Sequence, residues 1–202
     1  MAVTLRTDET ARDQRARMLA AMAGVVAEKG YSAATVADVV RAAGVSRTTF
    51  YEQFRSKEDC FLEAYARGVD ALLDAIRGAV RSTAGDWRDQ LRAGMRAYLA
   101  TLAADRPFAR TYLLEIHAAG EAALDARADA LRRFAARYHA AFEQARTDDP
   151  KLREPHPDAL LVLCSGAEQL VAGRLRRDEP LDELEDVFCD CAEAVLLHQR
   201  EE

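Results

Sequence analysis

Residues 35–57 read TVADVVRAAGVSRTTFYEQFRSK, and this stretch decides the fold. Thr35 stands where a helix N-cap belongs, and Asp38 follows at the spacing of a capping pair. Val36, Val39 and Val40 fall on one inward face of the short helix that Thr35 opens. Ala42-Ala43-Gly44-Val45 then breaks the chain. Ser46 caps a second short helix, about 46–52, with Phe50 on its buried side. Phe54-Arg55-Ser56-Lys57 ends that helix and starts a long one, which carries Phe61, Tyr65, Val69, Leu72 and Ile76 at helical spacing. Two short helices joined by a glycine-containing turn are the helix-turn-helix plan.

Such a motif has to expose a short polar face from its second helix while burying an apolar anchor, and Phe50 is the expected anchor. Arg47, Thr48 and Thr49 lie at the exposed start, beside the cap Ser46. Arginine suits guanine bidentately, and a threonine methyl can meet thymine. Tyr51 and Lys57 have the reach for phosphates, and Thr35 can offer donors from a helix N-terminus. These seven residues are the candidate contacts to double-stranded operator DNA.

Working outward, a helix is expected upstream over 11–29, with Leu19, Met22 and Val26 on one stripe and Gly30 ending it. Downstream, Gly85-Asp86 marks a break, and helices follow near 87–104, 107–118 and 121–147. Pro107 falls in a first turn, where proline is tolerated. Thr147 to Pro157 holds three prolines and reads as a loop. Two last helices are expected near 158–176 and 181–199, separated by Asp178-Glu179-Pro180. Strand signals and repeats are lacking, so the chain reads as all-α. The expected architecture is a three-helix DNA-binding domain over 1–57, then a six-helix domain over 58–202.

Charge follows the same division. The chain carries a net charge of −6. Residues 1–57 hold nine basic and six acidic side chains, whereas 58–202 hold nineteen and twenty-eight. A basic end on an acidic body suits approach to a polyanion. No apolar run reaches the ~18 residues of a membrane span. The polar start does not read as a signal peptide. A cytoplasmic protein with no membrane association is expected.

Catalytic patterns are lacking. His117, His139, His156 and His198 are scattered over different expected elements, and no glycine-rich phosphate loop occurs. Ser165-Gly166 lies inside an apolar helix, without the strand-turn-helix setting of a hydrolase nucleophile. Cys60, Cys164, Cys189 and Cys191 lack zinc-site spacing and read as reduced, buried thiols. Cys189 and Cys191, two apart on a helix, should point to different faces. The chain is therefore expected to be no enzyme and to need no metal or cofactor.

The stretch Thr35–Lys57, with the helix before it, resembles the N-terminal domain of the TetR family of bacterial transcriptional regulators. The residues that carry the resemblance are Gly30-Tyr31, Thr35 to Val39, Ala43 to Ser46, Thr49 to Tyr51, Phe54 and Ser56-Lys57. It covers about residues 12–67. Two departures stand out. Valines occupy 36 and 39 where the family often has isoleucine, and Gln53-Phe54 stands where His-Phe is common.

The resemblance implies a homodimer, with repression of a palindromic operator relieved by a small-molecule effector, and makes 58–202 the six-helix ligand-binding and dimerisation domain. An apolar cavity with a few polar tips is then expected within 87–170. Its candidate lining is Tyr98, Leu102, Phe108, Tyr112, Ile116, His117, Phe134 and Tyr138, although bundle core accounts for most such residues. The expected effector is mostly apolar, with Arg110 a possible partner for a carboxylate, and Trp87 is expected to pack. Leu163, Gly166, Leu170 and Gly173 form one stripe, joined by Leu184, Phe188, Cys191 and Val195 on the last helix. This apolar surface is the candidate dimer interface, and a two-fold pair of recognition helices would raise affinity. Two other readings stay open: a helical small-molecule-binding protein with a residual DNA-binding domain, and an adaptor whose second part binds another protein.

Overall fold

In the computed structural model, residues 2–197 are described, with side chains from Ala11 onward. Among them are nine α-helices and no strand: α1 (Ala2–Lys29), α2 (Val36–Ala43), α3 (Arg47–Gln53), α4 (Lys57–Ser82), α5 (Trp87–Ala104), α6 (Arg106–Leu113), α7 (Glu121–Asp148), α8 (Pro157–Arg177) and α9 (Glu185–Leu196). None is long and apolar enough to cross a membrane.

Three boundaries differ from the sequence reading. Helix α1 starts at Ala2 rather than near 11, because residues 2–10 contain no glycine or proline to stop it. The expected helix 107–118 is split into α6 and a 3-10 turn over Glu115–Ala118. The last helix opens with a 3-10 turn, Asp182–Leu184. Short 3-10 turns commonly flank α-helices. His198 and the expected end of that helix at 199 lie outside the described residues.

The chain divides into two compact units. One comprises residues up to 68 together with 107–126, and the other 69–106 together with residues from 127 onward.

In the first unit α1 packs on α2, and α2 on α3. Met18, Met22, Val26, Val39, Phe50 and Phe61 are fully buried. Two glycines matter for this packing. Gly44 turns the chain between α2 and α3 at φ 63°, a left-handed conformation that glycine takes without strain. Gly68 lets α4 approach α6, since a Cβ there would lie 2.0 Å from the Phe108 ring. Phe108 stacks on Tyr112, and Tyr112 on Tyr65.

In the second unit α5 and α8 both pack on α9. Trp87, Leu91, Tyr138, Phe142, Leu160 and Leu196 belong to one buried cluster. Asp86 caps α5 with a capping box to Asp89. Asp178 ends α8 in the left-handed region at φ 57°. Arg92 and Arg96 of α5 pair with Glu185 at the start of α9.

Candidate functional site

The geometry of α2 and α3 follows from their caps. The Thr35 hydroxyl donates to Asp38 Oδ2 at 2.7 Å, and the Asp38 amide donates back to it at 3.2 Å. The Thr35 amide completes the box on the Asp38 carboxylate. Lys29 and Arg41 also reach that carboxylate, Lys29 at 2.7 Å. Led by the Lys29 hydrogen bond, these contacts hold the Asp38 carboxyl well below the usual carboxylate range. The N-terminus of α2 therefore carries an ionised acid flanked by two cations. Thr35 is exposed, but its hydroxyl is engaged within the box. The α2 amides of Val36 and Ala37 lie ahead of the first intrahelical partners.

Ser46 caps α3, accepting from the Thr49 amide at 2.9 Å, and the two hydroxyls lie 2.9 Å apart. Phe50 is fully buried beside Phe54, so the anchor lies where the sequence puts it. With that face fixed, Arg47 and Thr48 are exposed at the start of α3, Thr49 is half-buried, and Tyr51 is 52% exposed. The exposed set offers a forked cation, hydroxyls and a phenol on one short helix.

Lys57 is differently placed. Its ammonium donates to the carbonyls of Tyr31 and Ala34, at 2.7 and 3.0 Å, and lies 4.1 Å from the centre of the Tyr31 ring. It holds the turn between α1 and α2, with one of its three N–H donors left over. Glu115 accepts from the amide of Tyr31 at 2.8 Å, so two groups distant in sequence hold this one residue. Arg15 does a comparable job at the far end of α3. Its guanidinium reaches Glu63 and the Gln53 carbonyl and lies over the Phe54 ring. Neither Arg15 nor Glu115 carries a signal in helical periodicity, and sequence reasoning missed both.

The eight expected effector residues fall into both units. Phe108, Tyr112, Ile116 and His117 belong to the first unit, where Tyr112 and Ile116 are buried and His117 is exposed. Arg110 is exposed there as well. Tyr98, Leu102, Phe134 and Tyr138 belong to the second, where Tyr98 meets Phe134 edge to face. The second unit holds a hollow of about 210 Å³ between α4, α5 and α7. Of the eight, only Tyr138 lines it. The rest of its wall includes Ile76, Trp87, Leu91 and Met95, together with Arg77, Arg81 and Arg137. Trp87 thus packs, as expected, and also borders the hollow.

The expected interface residues separate by burial. Leu184 and Phe188 are buried within the protomer. Gly166 and Cys191 are exposed, Leu170 is 47% exposed, and Leu163, Gly173 and Val195 are intermediate. Val162 at 70% and Val187 at 45% add to the exposed apolar side chains of α8 and α9. Cys189 is buried and Cys191 exposed, so the two do face opposite ways, and the expectation of four buried thiols is corrected at Cys191. Among the described residues no cluster of three or more His, Cys, Asp or Glu side chains could hold a metal ion.

Comparison with known proteins agrees with this geometry. Residues 18–64 match the family described as bacterial regulatory proteins, tetR family. The HTH-type transcriptional activator FasR of Mycolicibacterium smegmatis is 36% identical over 86 residues. That match spans 43% of this chain and 39% of FasR, well under half the relative's length. The fatty acid degradation regulator FadR of Bacillus halodurans superposes with a TM-score of 0.77 at 21% identity, over 91% of this chain and 98% of that one. Bacillus subtilis FadR, solved in complex with stearoyl-CoA, also gives a TM-score of 0.77, at 16% identity, over 92% and 98%. At these identities the two structures share the fold.

Proposed function

We propose, from the premise that this chain belongs to the tetR family of bacterial regulatory proteins, that it is a homodimeric cytoplasmic repressor. It binds a palindromic operator and is released by a small-molecule effector. Residues 1–57 bind DNA, and 58–202 bind the effector and dimerise. The observation that carries this reading is the capped α3. Phe50 fixes its buried side, while Arg47, Thr48 and Tyr51 stay exposed on the other. Arg47 reads a base edge, and Tyr51 and the spare donor of Lys57 meet phosphates. Thr35 and Ser46 act chiefly as caps, which present the first-turn amides of α2 and α3 to the backbone of the duplex. FasR is an activator, so repression here is tested by transcription from a promoter carrying the selected DNA, which should fall when the protein is added and stay low until the effector is present.

Dimerisation through α8 and α9 is supported by the side chains they leave uncovered. Val162, Leu170 and Val187 are exposed, and nothing lies within 4 Å of a Cβ built on Gly166. Apolar residues exposed together on neighbouring helices suit a two-fold partner. Leu184 and Phe188 support that face from beneath. Leu170→Asp should put a charge into a dry interface. Sedimentation of the variant should show monomers at micromolar protein, and binding to DNA selected from a random pool should collapse. A variant that stays dimeric, or that binds the selected DNA as wild type does, contradicts the assignment. The effector acts by favouring one dimer shape over another, so affinity for it has to differ between the two.

A further inference from the structure

The hollow in the second unit sorts its lining by chemistry. Its buried wall is apolar: Ile76, Trp87, Leu91 and the ring of Tyr138 are each less than a tenth exposed. Its exposed wall is basic, formed by Arg77, Arg81 and Arg137. No aspartate or glutamate lines it. Arg77 is partnered by Asp74 at 2.9 Å, but among the described residues Arg81 and Arg137 make no ion pair. Most arginines of this unit meet carboxylates, Arg92, Arg96, Arg106, Arg127 and Arg133 among them, although among the described residues Arg176 also makes no ion pair. In a chain of net charge −6, two unpaired guanidinium groups beside one apolar hollow are a place for an anion.

Volume limits what the anion carries. A dry cavity of about 150 Å³ accommodates benzene, which is ~25 Å³ for each non-hydrogen atom. By that measure about 210 Å³ accepts an apolar body of roughly eight such atoms. An eighteen-carbon chain would need roughly twice the space.

We infer that this hollow binds a small acid, its apolar body of about eight non-hydrogen atoms against Trp87 and Leu91 and its anionic head on Arg81 and Arg137. The assignment rests on the effector reading above and alters it in two respects. The ligand is charged at one end, and its site includes α4, which the sequence reading left out. A carboxylate and a thioester bearing phosphates share the required chemistry, and they are separated by experiment.

Isothermal calorimetry on the full chain, without DNA, compares octanoate, octanoyl-CoA, 1-octanol, octylamine and octadecanoate. Octanoate or octanoyl-CoA should bind at one site per protomer, and whichever binds tighter identifies the head group. Octylamine should not bind, and 1-octanol and octadecanoate should bind at least about tenfold more weakly. Arg81→Gln with Arg137→Gln should weaken the acid by about tenfold or more. Arg132→Gln, at an exposed α7 arginine paired with Asp129 outside the hollow, should not. All three positions are exposed, and matching thermal melts would establish that the variants are folded. The assignment is overturned if neither acid binds, if the double variant keeps wild-type affinity, or if octadecanoate or 1-octanol binds as well as octanoate. Operator release is measured separately. An acid that binds but does not release DNA faults the effector reading and leaves the site intact, whereas a failure to bind leaves operator recognition untouched.

Discussion

Around α2 and α3, polar side chains sit at helix ends, with Thr35 and Ser46 exposed and Asp38 covered by its cap and two cations; where α7 meets α8, Arg127 and Glu168 face each other in a largely buried pair. The difference shows in how each carboxylate is held. Asp38 has cations and caps around it and is held below its ordinary range, led by the Lys29 hydrogen bond. Glu168 is pushed up, because burial outweighs its contact with Arg127. The first arrangement leaves a polar surface ready for a partner. The second fixes helix against helix at a desolvation cost. The caps that shape the exposed start of α3 are neighbours in sequence, whereas the buried pair joins residues 41 apart.

The comparison breaks most visibly at Arg127. Arg127→Met leaves the Glu168 charge buried without its partner and should cost about 3–5 kcal/mol in urea unfolding. Adding Glu168→Leu should recover most of that, since two apolar groups of similar volume replace the pair. A single variant of near wild-type stability would mean that the pair is wetter than its burial implies.

Smaller effects are expected at the caps. Ser46→Ala removes the acceptor for the Thr49 amide and should cost about 1 kcal/mol, whereas Ser46→Gly should cost only a few tenths. Equal costs for the two would mean that α3 depends on packing alone.

The two carboxylates should also give opposite pH dependence. Asp38 is depressed when folded, so its contribution is present above the unfolded value of about 4 and is lost as pH falls through the folded one. Glu168 is raised, so the protein is more stable below the unfolded value and loses that stability as pH rises through the folded one. Denaturation curves of Asp38→Asn and Glu168→Gln across acid pH should therefore diverge from wild type in opposite senses. Parallel curves would refute the contrast.

Legibility in the sequence divides along the same line. The caps at Thr35 and Ser46, the turn at Gly44 and the anchor Phe50 all rest on spacings of a few residues, and they occur where those spacings put them. Lys57 was legible as a basic residue at a helix start, but not as a clasp on Tyr31, because that contact spans 26 residues. Helical periodicity revealed that Tyr112 and Tyr138 are buried without revealing that they belong to different units. The hollow does not follow from periodicity for the same reason. Arg81 and Arg137 lie on polar stripes of separate helices, and only folding brings them to one cavity.

The central claim is that α3 reads bases through Arg47 from a scaffold that does not depend on it. Its most direct measurement is the affinity of wild type and Arg47→Ala for DNA selected by the wild type and for single-base variants of each half-site. The account predicts that Arg47→Ala keeps wild-type stability and dimerisation but loses about 1–3 kcal/mol of discrimination at one position in each half-site. Discrimination unchanged at every position, with binding to all variants weakened alike, would contradict it and make Arg47 a phosphate contact.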